Sequence, residues 1–163
     1  MTDYESLFSY CRDTGSLFWK IKKPQVYPGM RAGNKNKEGY VAVRINGKDH
    51  RAHRIIWVMH NGPIPPGLEI DHIDGNPSNN RIENLRAVTH LENGKNQKLR
   101  VNNKSGATGV YFNKKTKKWI ACMRVNGKAK YYGCYVNFPD ACAARIVAEV
   151  NERFHPNHGT MRG

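Results

Sequence analysis

Residues 71–93 constrain this chain more than any other part of it, because they place four polar side chains at wide, defined intervals. The segment opens with Asp71 and His72, and Asn84 follows twelve residues after His72. Asn93 comes nine residues after Asn84. An acid, an imidazole and two amides in one compact segment indicate a polar site of the kind used for metal-assisted hydrolysis.

The same segment predicts a hairpin followed by a helix. Residues 69–73 and 85–88 are typical of two strands joined by a polar loop, which predicts an antiparallel pair. Thr89 and Glu92 fit a capping box, so a helix is predicted to start at His90. From that start the helix is expected to place three amides on one face, namely Asn93, Asn96 and Gln97.

Upstream, the pattern predicts a β-hairpin and a short buried helix. Residues 40–45 and 48–52 flank Asn46-Gly47, the dipeptide that best suits a type I′ turn. A shorter strand is predicted at 16–20. The apolar residues within 53–60 fit a short helix that ends near Asn61-Gly62.

The C-terminal part predicts a three-stranded sheet and one helix. Strands are expected at 110–113, 119–125 and 130–136, and a helix is expected to open near Pro139-Asp140. The helix is predicted to cover the sheet with an apolar stripe made of Ala143, Ile146, Val147, Val150 and Phe154.

We therefore expect an α+β protein, with residues 1–98 as an N-terminal domain, 99–108 as a basic linker and 109–163 as a second domain. The four cysteines, Cys11, Cys122, Cys134 and Cys142, are too scattered for a metal-binding pair and are expected to be small core residues. His155 and His158, in the polar tail, are expected to have no particular role.

A net charge of +14 indicates a polyanionic partner, and nucleic acid is the natural one. Residues 94–139 contain eleven Lys or Arg and no acid. The alternatives are a merely soluble basic protein or one that rests on an anionic membrane.

A membrane span needs about 18 consecutive apolar residues, which the chain lacks. With no signal peptide either, we expect a cytoplasmic location.

The polar segment suits phosphodiester hydrolysis. The Asp71 carboxylate and the Asn93 amide oxygen are hard ligands, which favours Mg²⁺ or Mn²⁺ over Zn²⁺. His72, with an ordinary pKa of about 6.5, is predicted to be the general base. An alternative is that Asp71-His72-Ile73-Asp74-Gly75-Asn76 is a solvated turn or a poor calcium loop.

Residues 53–98, with the lead-in Gly39-Tyr40 to Gly47, resemble the HNH homing endonucleases of phages and mobile elements. The resemblance implies a ββα-metal unit preceded by a β-hairpin. It implies Asp71 and Asn93 as metal ligands, His72 as the base and Asn84 as the residue that ties the hairpin and orients His72. Whether His90 replaces or assists Asn93 at the metal stays open.

Residues 109–144 resemble the ethylene-response-factor (APETALA) DNA-binding domain. The resemblance implies three strands in the major groove, with Trp119 and Arg124 at DNA-contacting positions. Trp119 could equally belong to the core under the helix. The full set of expected DNA-binding residues is Arg54, Arg81, Lys114, Lys117, Lys118, Trp119, Arg124, Lys128 and Lys130.

Together these features predict a metal-dependent endonuclease that nicks or cuts double-stranded DNA. The resemblance implies a phage or mobile-element enzyme acting in a bacterial host. A DNA-binding regulator that kept the HNH scaffold without turnover is the alternative, and RNA cleavage is less favoured. A monomer is expected on DNA, with a dimer left open. The sequence does not define the target site.

Overall fold

The computed structural model describes residues 2–97, 99 and 102–160. The chain forms two compact units, Met1–Asn93 and Gly94–Gly163. The domain boundary predicted at Lys98 lies outside the described residues. Both units combine short helices with antiparallel strands, which confirms the expected α+β class.

The first unit begins with elements that support the hairpin and helix of interest. In chain order these are α1 (Tyr4–Leu7), β1 (Phe8–Cys11), β2 (Ser16–Trp19), β3 (Asn34–Lys35), β4 (Val41–Ile45), β5 (Lys48–Arg51), α2 (Ala52–Asn61), β6 (Leu68–His72), a 3₁₀ turn (Ile82–Asn84), β7 (Leu85–Thr89) and α3 (His90–Gly94).

Most of these elements match the predictions. The β4–β5 turn has positive φ at Asn46 (48°) and Gly47 (78°), as a type I′ turn requires. The helix predicted at 53–60 is α2, and Gly62 ends it. Strand β1, which sequence analysis did not assign, pairs with β2.

The core of the first unit lies between β1, β2, β4 and α2. Phe8, Val43 and Ile56 have no exposed surface, and Ile70 and Leu85 extend the cluster into the β6–β7 hairpin. Strands β6 and β7 are antiparallel, as predicted, with Asp71 opposite Arg86. The hairpin therefore presents one face to a packed core and the other away from it.

Helix α3 begins at His90, and its capping box is confirmed. The Glu92 carboxylate accepts from the Thr89 backbone N–H (2.9 Å), and the Thr89 hydroxyl oxygen accepts from the Glu92 N–H (3.3 Å). The helix ends at Gly94. The prediction that Asn96 and Gln97 continue its face is therefore wrong, because both residues follow the end of the helix.

The second unit is a three-stranded antiparallel sheet with one helix, as predicted. Its elements are β8 (Val110–Asn113), β9 (Lys118–Val125), β10 (Lys128–Tyr135) and α4 (Phe138–Asn151), with the strands in the order β10-β9-β8. Asn126 and Gly127 both have positive φ, so the β9–β10 connection is also of type I′.

The apolar stripe predicted for α4 is not the face that packs. Val150 is 70% exposed, and Ile146 and Val147 are exposed by 60% and 59%. The buried positions are Ala141, Arg145 and Ala148, which recur at helical spacing. Small alanines allow the helix to approach the sheet closely, and the larger aliphatic residues are left on the outer face.

Arg145 takes the place of a large apolar residue in the middle of this helix face. Its Nη1 donates to Glu149 (2.8 Å) and to Met123 Sδ (2.8 Å). Gly109 has φ +71°, and a Cβ there would overlap the Cys122 carbonyl and lie 2.6 Å from Arg145 Nε. Glycine is therefore required where the guanidinium passes under the sheet.

The C-terminal tail is bonded to residues 95–99, of which only Leu99 belongs to the predicted linker. Backbone hydrogen bonds among the described residues run from His155 N–H to the Lys95 carbonyl (3.1 Å), from Gly159 N–H to the Gln97 carbonyl (2.9 Å) and from Leu99 N–H to the Thr160 carbonyl (2.9 Å). His158 contacts Arg145 and Glu149, with its side chain only 8% exposed. The expectation that His158 has no particular role is therefore wrong.

The cysteines are not the buried core residues that were expected. Cys134 is exposed, and the other three are half-buried. Their moderate hydrophobicity alone does not decide burial, because their positions on short strands and helices leave one side open. Within the described part of the chain, no helix is both long enough and apolar enough to cross a membrane.

Candidate active site

Asn84 closes the loop that joins β6 to β7. Its Nδ2 donates to Asp74 Oδ1 (3.0 Å) and to the Asn79 carbonyl (2.8 Å), and its Oδ1 accepts from the Asp74 N–H (3.1 Å). The Ile73 N–H donates to the Asn84 carbonyl (2.8 Å). These bonds join the end of one strand to the start of the next, so Asn84 holds the hairpin loop together.

Asp74 is the anion at the centre of this loop. Its Oδ2 accepts from Asn79 Nδ2 (2.7 Å), and its Oδ1 accepts from the Asn76 N–H (2.8 Å). Burial raises the pKa of Asp74, but the hydrogen bonds from Asn79, Asn76 and Asn84 outweigh it and the net pKa is lowered. The loop is therefore organised around an ionised carboxylate.

His72 lies at the end of β6, where it is only 4% exposed. Its Nε2 lies 2.9 Å from Oδ1 of Asn80, which is also buried. A carboxamide oxygen only accepts, so His72 Nε2 carries the proton and donates. In a neutral imidazole with this tautomer, Nδ1 is the ring nitrogen with a lone pair. Asn80 thus contacts His72 Nε2, whereas the hydrogen bonds described for the Asn84 side chain run to Asp74 and Asn79 in the loop.

A second histidine packs directly against His72. The two rings, His53 and His72, have centroids 4.9 Å apart in an edge-to-face arrangement, and the Tyr40 ring lies 5.5 Å from His53 and 6.0 Å from His72. Burial, followed by the charges of His72, Arg51 and Arg54, lowers the pKa of His53 to about 3. His53 is therefore a neutral imidazole against the candidate base.

Asp71 is held by the strand opposite it. Arg86 donates to Asp71 Oδ2 through Nε (3.2 Å) and Nη2 (3.0 Å), and the Asp71 side chain is 12% exposed. Because the two residues are register partners in the β6–β7 hairpin, the pairing follows from the fold. The ion pair fixes the direction of the carboxylate.

Asn93 and His90 of α3 both contact Glu69 on β6. Asn93 Nδ2 donates to Glu69 Oε2 (2.6 Å), and His90 Nδ1 donates to Glu69 Oε1 (3.0 Å). These hydrogen bonds, that from Asn93 first, lower the pKa of Glu69. His90 is 84% exposed, so it contacts the carboxylate from the solvent side.

Strand geometry puts Asp71 and Asn93 on the same side of the hairpin. Glu69 and Asp71 are two residues apart on β6, so their side chains leave the same face, roughly 7 Å apart along the strand. Asn93 contacts Glu69 and therefore lies on that face. His72 belongs to the alternate set with buried Ile70, so its ring leaves β6 on the core side.

One cavity of about 770 Å³ is lined by neighbours of both Asp71 and His72, although neither of these two residues lines it. Its wall includes Asn93 and Glu69, and it also includes Tyr40 and His53, the rings that pack on His72. Arg54 contributes a cation to the same wall. The cavity therefore connects the Asn93 side of the hairpin with the surroundings of the candidate base.

The donor atoms at this site fit a hard divalent cation. Asp71 and Asn93 supply one carboxylate and one carboxamide oxygen, and Mg²⁺ typically takes one or two protein oxygens with water and substrate phosphate. Protein zinc sites typically include His or Cys ligands, and neither Asp71 nor Asn93 supplies one. Among the described residues, no group of three or more His, Cys, Asp or Glu is arranged for metal binding, so any ion here depends on such mixed coordination.

The family model described as HNH endonuclease matches residues 50–95, which contain this hairpin and all of α2 and α3. Protein 3.8 of Escherichia phage T7 is 42% identical over 112 residues, covering 69% of this chain and 88% of that protein. The chain belongs to the family of Protein 3.8 and carries an HNH endonuclease domain.

Two further comparisons concern I-HmuI. The DNA endonuclease I-HmuI of Bacillus phage SP01 is 37% identical over 68 residues, which cover 39% of each chain. A solved structure of DNA binding and cleavage by the HNH homing endonuclease I-HmuI aligns with a TM-score of 0.43 and 30% identity, covering 58% of this chain and 53% of that one. The chain thus spans only part of I-HmuI.

Two arginines were expected to contact DNA from the HNH domain, and both are exposed. Arg54 of α2 lines the cavity. Arg81 precedes the 3₁₀ turn, and its Nε donates to the Asp13 carbonyl (2.7 Å). Arg54 is therefore positioned beside the candidate active site, whereas the Arg81 guanidinium is partly engaged within the domain.

In the second unit, the expected DNA-binding residues divide into packed or ion-paired residues and exposed ones. Trp119 is half-buried and packs with Phe112 (5.2 Å) and with Phe138 of α4 (4.6 Å), so it lies under the helix, the alternative that the sequence left open. Lys130 is ion-paired with Glu152 (2.7 Å) on the same side. The remaining members are exposed: Lys114, Lys117, Lys118, Arg124 and Lys128.

Four residues of the HNH domain site were missed by sequence analysis: His53, Glu69, Asn80 and Arg86. Glu69 had a visible signal, because it alternates with Asp71 on the predicted strand. Arg86 could be found only from the hairpin register. The ring and amide contacts of His53 and Asn80 depend on packing between distant segments, for which the sequence pattern carries no signal.

Proposed function

We propose that this protein is a metal-dependent DNA endonuclease of the HNH homing type, which hydrolyses phosphodiester bonds in duplex DNA. The observation that carries the proposal is the hydrogen-bonded imidazole of His72 in a ββα unit that also carries Asp71 on strand β6 and Asn93 on helix α3. Acid, amide and imidazole belong to one small ββα unit within an HNH endonuclease domain. This combination suits hydrolysis, and simple DNA binding does not require it.

His72 is the proposed general base. Its Nε2–H is donated to Asn80, so Nδ1 is the nitrogen that would accept a proton from the attacking water. The neutral His53 ring packs against it without adding a competing charge. In this proposal, Asn80 selects the tautomer of His72, and Asn80 and His53 together fix the orientation of its ring.

Asp71 and Asn93 are the proposed ligands of Mg²⁺ or Mn²⁺. When bound, such an ion neutralises charge on the phosphate and stabilises the departing alkoxide. Arg86 fixes Asp71, and Glu69 fixes Asn93, so both ligands are oriented by ion-pair or hydrogen-bond partners. Asn84 keeps the loop between the two strands in place.

Duplex DNA is the proposed substrate, held chiefly by the second unit. Residues 94–163 contain fourteen basic and three acidic residues, whereas residues 1–93 contain thirteen and ten. The surplus of positive charge on the sheet unit suits phosphate contacts. Lys114, Lys117 and Lys118 at the β8–β9 turn and Arg124 on β9 are exposed for this purpose. By its resemblance to the APETALA domain, the sheet is proposed to bind in the major groove of DNA.

The proposal extends to the setting of the reaction. The relatives include phage proteins, so we place the activity in a bacterial host cytoplasm, on phage or host DNA. The enzyme acts as a monomer on DNA. Cleavage is by nicking or by cutting both strands, and the two outcomes are separated by the products of the assay below.

One observation favours a second candidate function. Asp71 is bonded to Arg86, and His72 is 4% exposed, so both central residues are already engaged within the protein. A DNA-binding regulator built on the HNH scaffold would keep these contacts as purely structural ones. That regulator would bind the same duplexes through the basic sheet and would leave them intact.

Incubation with supercoiled plasmid separates the two functions. The wild-type protein is expected to convert the plasmid to nicked or linear product with Mg²⁺ and to stop when a chelator is added. The variant D71A should require more Mg²⁺ and cleave more slowly, because it loses the only carboxylate among the proposed ligands. Gel-shift binding without cleavage, at any Mg²⁺ or Mn²⁺ concentration, would support the regulator instead.

A further inference from the structure

Helix α3, which carries Asn93, is not anchored by buried apolar side chains of its own. It contains five residues, and none of them is buried. Isolated helices shorter than about 12 residues are marginal in water, so a helix of this length needs tethering from outside. The capping box of Thr89 and Glu92 fixes its first turn. The direction of Asn93, one turn along, needs another restraint.

Glu69 supplies that restraint from the neighbouring strand. Its two carboxylate oxygens accept from two residues of α3, Oε2 from Asn93 (2.6 Å) and Oε1 from His90 (3.0 Å). Contacts three residues apart on one helix share a face, so the carboxylate spans the length of that face. Glu69 also leaves β6 on the same side as Asp71.

The chemistry of the Asn93–Glu69 bond determines which end of the Asn93 amide faces outwards. An ionised carboxylate only accepts hydrogen bonds, so the amide nitrogen of Asn93 must face Glu69. The amide is planar, and its oxygen leaves the carbon in a different direction from its nitrogen. An amide that is free to flip would present nitrogen, which cannot bind a cation, about as readily as oxygen.

We propose that Glu69 is a positioning residue of the metal site, which directs the Asn93 oxygen towards the cation. This inference rests on the proposed function, because it takes Asn93 as a metal ligand. It also assigns His90: the imidazole holds the second oxygen of Glu69 and supports Asn93 without replacing it at the metal. Partners that orient metal ligands typically change metal affinity by about 10- to 100-fold when removed.

The test measures binding of Mn²⁺ alone to the full-length protein, by calorimetry or electron paramagnetic resonance. E69L should weaken Mn²⁺ binding by about 10- to 100-fold. E69Q should fall between E69L and wild type, because its amide can still accept from Asn93 in one of its two orientations. E83Q removes an exposed glutamate of the same unit and is the matched control for the change in charge; its Mn²⁺ affinity should equal that of wild type.

A double-mutant cycle separates positioning from a general structural effect. If Glu69 acts through Asn93, then adding E69L to N93A should cause no further loss of Mn²⁺ affinity. Cleavage rates provide the second readout: E69L should raise the half-saturating Mg²⁺ concentration, while the rate at saturating Mg²⁺ stays within about threefold, since a bound cation holds the Asn93 oxygen itself. Thermal unfolding of each variant shows whether it is folded.

The outcomes distinguish this inference from the proposed function. Equal Mn²⁺ binding by wild type, D71A and N93A would overturn both. Loss of binding in D71A and N93A with unchanged binding in E69L would overturn the role of Glu69 alone. The role would also be overturned if E69L weakened binding equally in the wild-type and N93A backgrounds, because Glu69 would then act independently of Asn93.

Discussion

Each unit of this protein buries a histidine, and the surroundings of the two rings differ. His53 in the HNH domain packs against another imidazole, His72, and against Tyr40. His158 in the sheet unit lies beside an ion pair, Arg145 with Glu149. The first arrangement surrounds a candidate base, and the second joins the C-terminal tail to a helix. Burial of a titratable side chain therefore does not by itself indicate a catalytic role.

The two units also differ in the balance between acidic and basic residues. Acids nearly match bases in the HNH domain, where Asp71 and Glu69 have defined partners. The sheet unit has a large surplus of bases, and its exposed lysines lie on a turn between strands. This contrast supports the proposal that chemistry belongs to the first unit and DNA affinity to the second. The following predictions test that division, beginning with the largest effect.

Replacing His72 with Ala should slow cleavage by about 10² to 10⁴, the usual contribution of a general base. The measurement is the single-turnover rate on one duplex at saturating protein and Mg²⁺. Thermal unfolding checks that the variant is folded, since His72 is buried. A rate equal to that of wild type would remove His72 from the mechanism and with it the chemical role of the first unit.

Asn80 provides the next largest expected effect, because it fixes the tautomer of His72. N80A should lower the rate at saturating Mg²⁺ by roughly 10- to 100-fold, in line with other residues that orient a functional histidine. N80D keeps an acceptor for Nε2–H and should retain more activity. Its carboxylate favours the protonated imidazole, so its rate should reach a plateau at higher pH than in wild type. Identical pH profiles for N80D and wild type would argue against this contact.

Of the two residues in these predictions, the sequence pattern predicted a functional role for His72 but not for Asn80. His72 was predicted from the spacing of the polar segment, and the β4–β5 hairpin was predicted from its Asn46-Gly47 turn. Asn80 was not predicted, because its contact with His72 depends on how the loop between β6 and β7 folds back onto the strand. Local signals also predicted where α4 lies but misjudged its buried face, since hydrophobicity favoured Ile146 and Val147 over the small alanines that allow close packing.

Acid should destabilise both units, over different pH ranges. Below its ordinary pKa of 6.5 each histidine gains a proton when unfolded, whereas folded His158 resists protonation down to about 4 and folded His53 down to about 3. The unfolded state then binds more protons, so stability falls as the pH is lowered, by up to about 1.4 kcal/mol per pH unit for each histidine.

Urea titrations at pH 7, 5 and 3.5 measure this effect. The wild type should lose stability at each step, and H53Q and H158Q should each show a shallower decline. Of the two histidine contributions, only that of His53 should continue below pH 4, the range that the titration at pH 3.5 samples. If H53Q and wild type declined in parallel over the whole range, His53 would not be held neutral in the folded protein.

The smallest expected effect concerns the lysines of the β8–β9 turn. The triple variant K114A/K117A/K118A should bind duplex DNA more weakly, and its plot of log affinity against log salt should flatten by about 0.9 for each phosphate that the protein no longer neutralises. A matched triple variant of exposed lysines in the first unit, K35A/K37A/K48A, should change the slope less. Equal changes in the two variants would mean that the sheet unit has no special part in holding DNA.

The division of labour is tested most directly by measuring duplex affinity and single-turnover cleavage rate for H72A and for K114A/K117A/K118A on the same DNA. We expect H72A to lose rate while keeping wild-type affinity, and the lysine variant to lose affinity while keeping the rate at saturating protein. The contradictory result is a loss of both quantities in both variants, or wild-type cleavage by H72A, because chemistry and DNA affinity would then not belong to separate units.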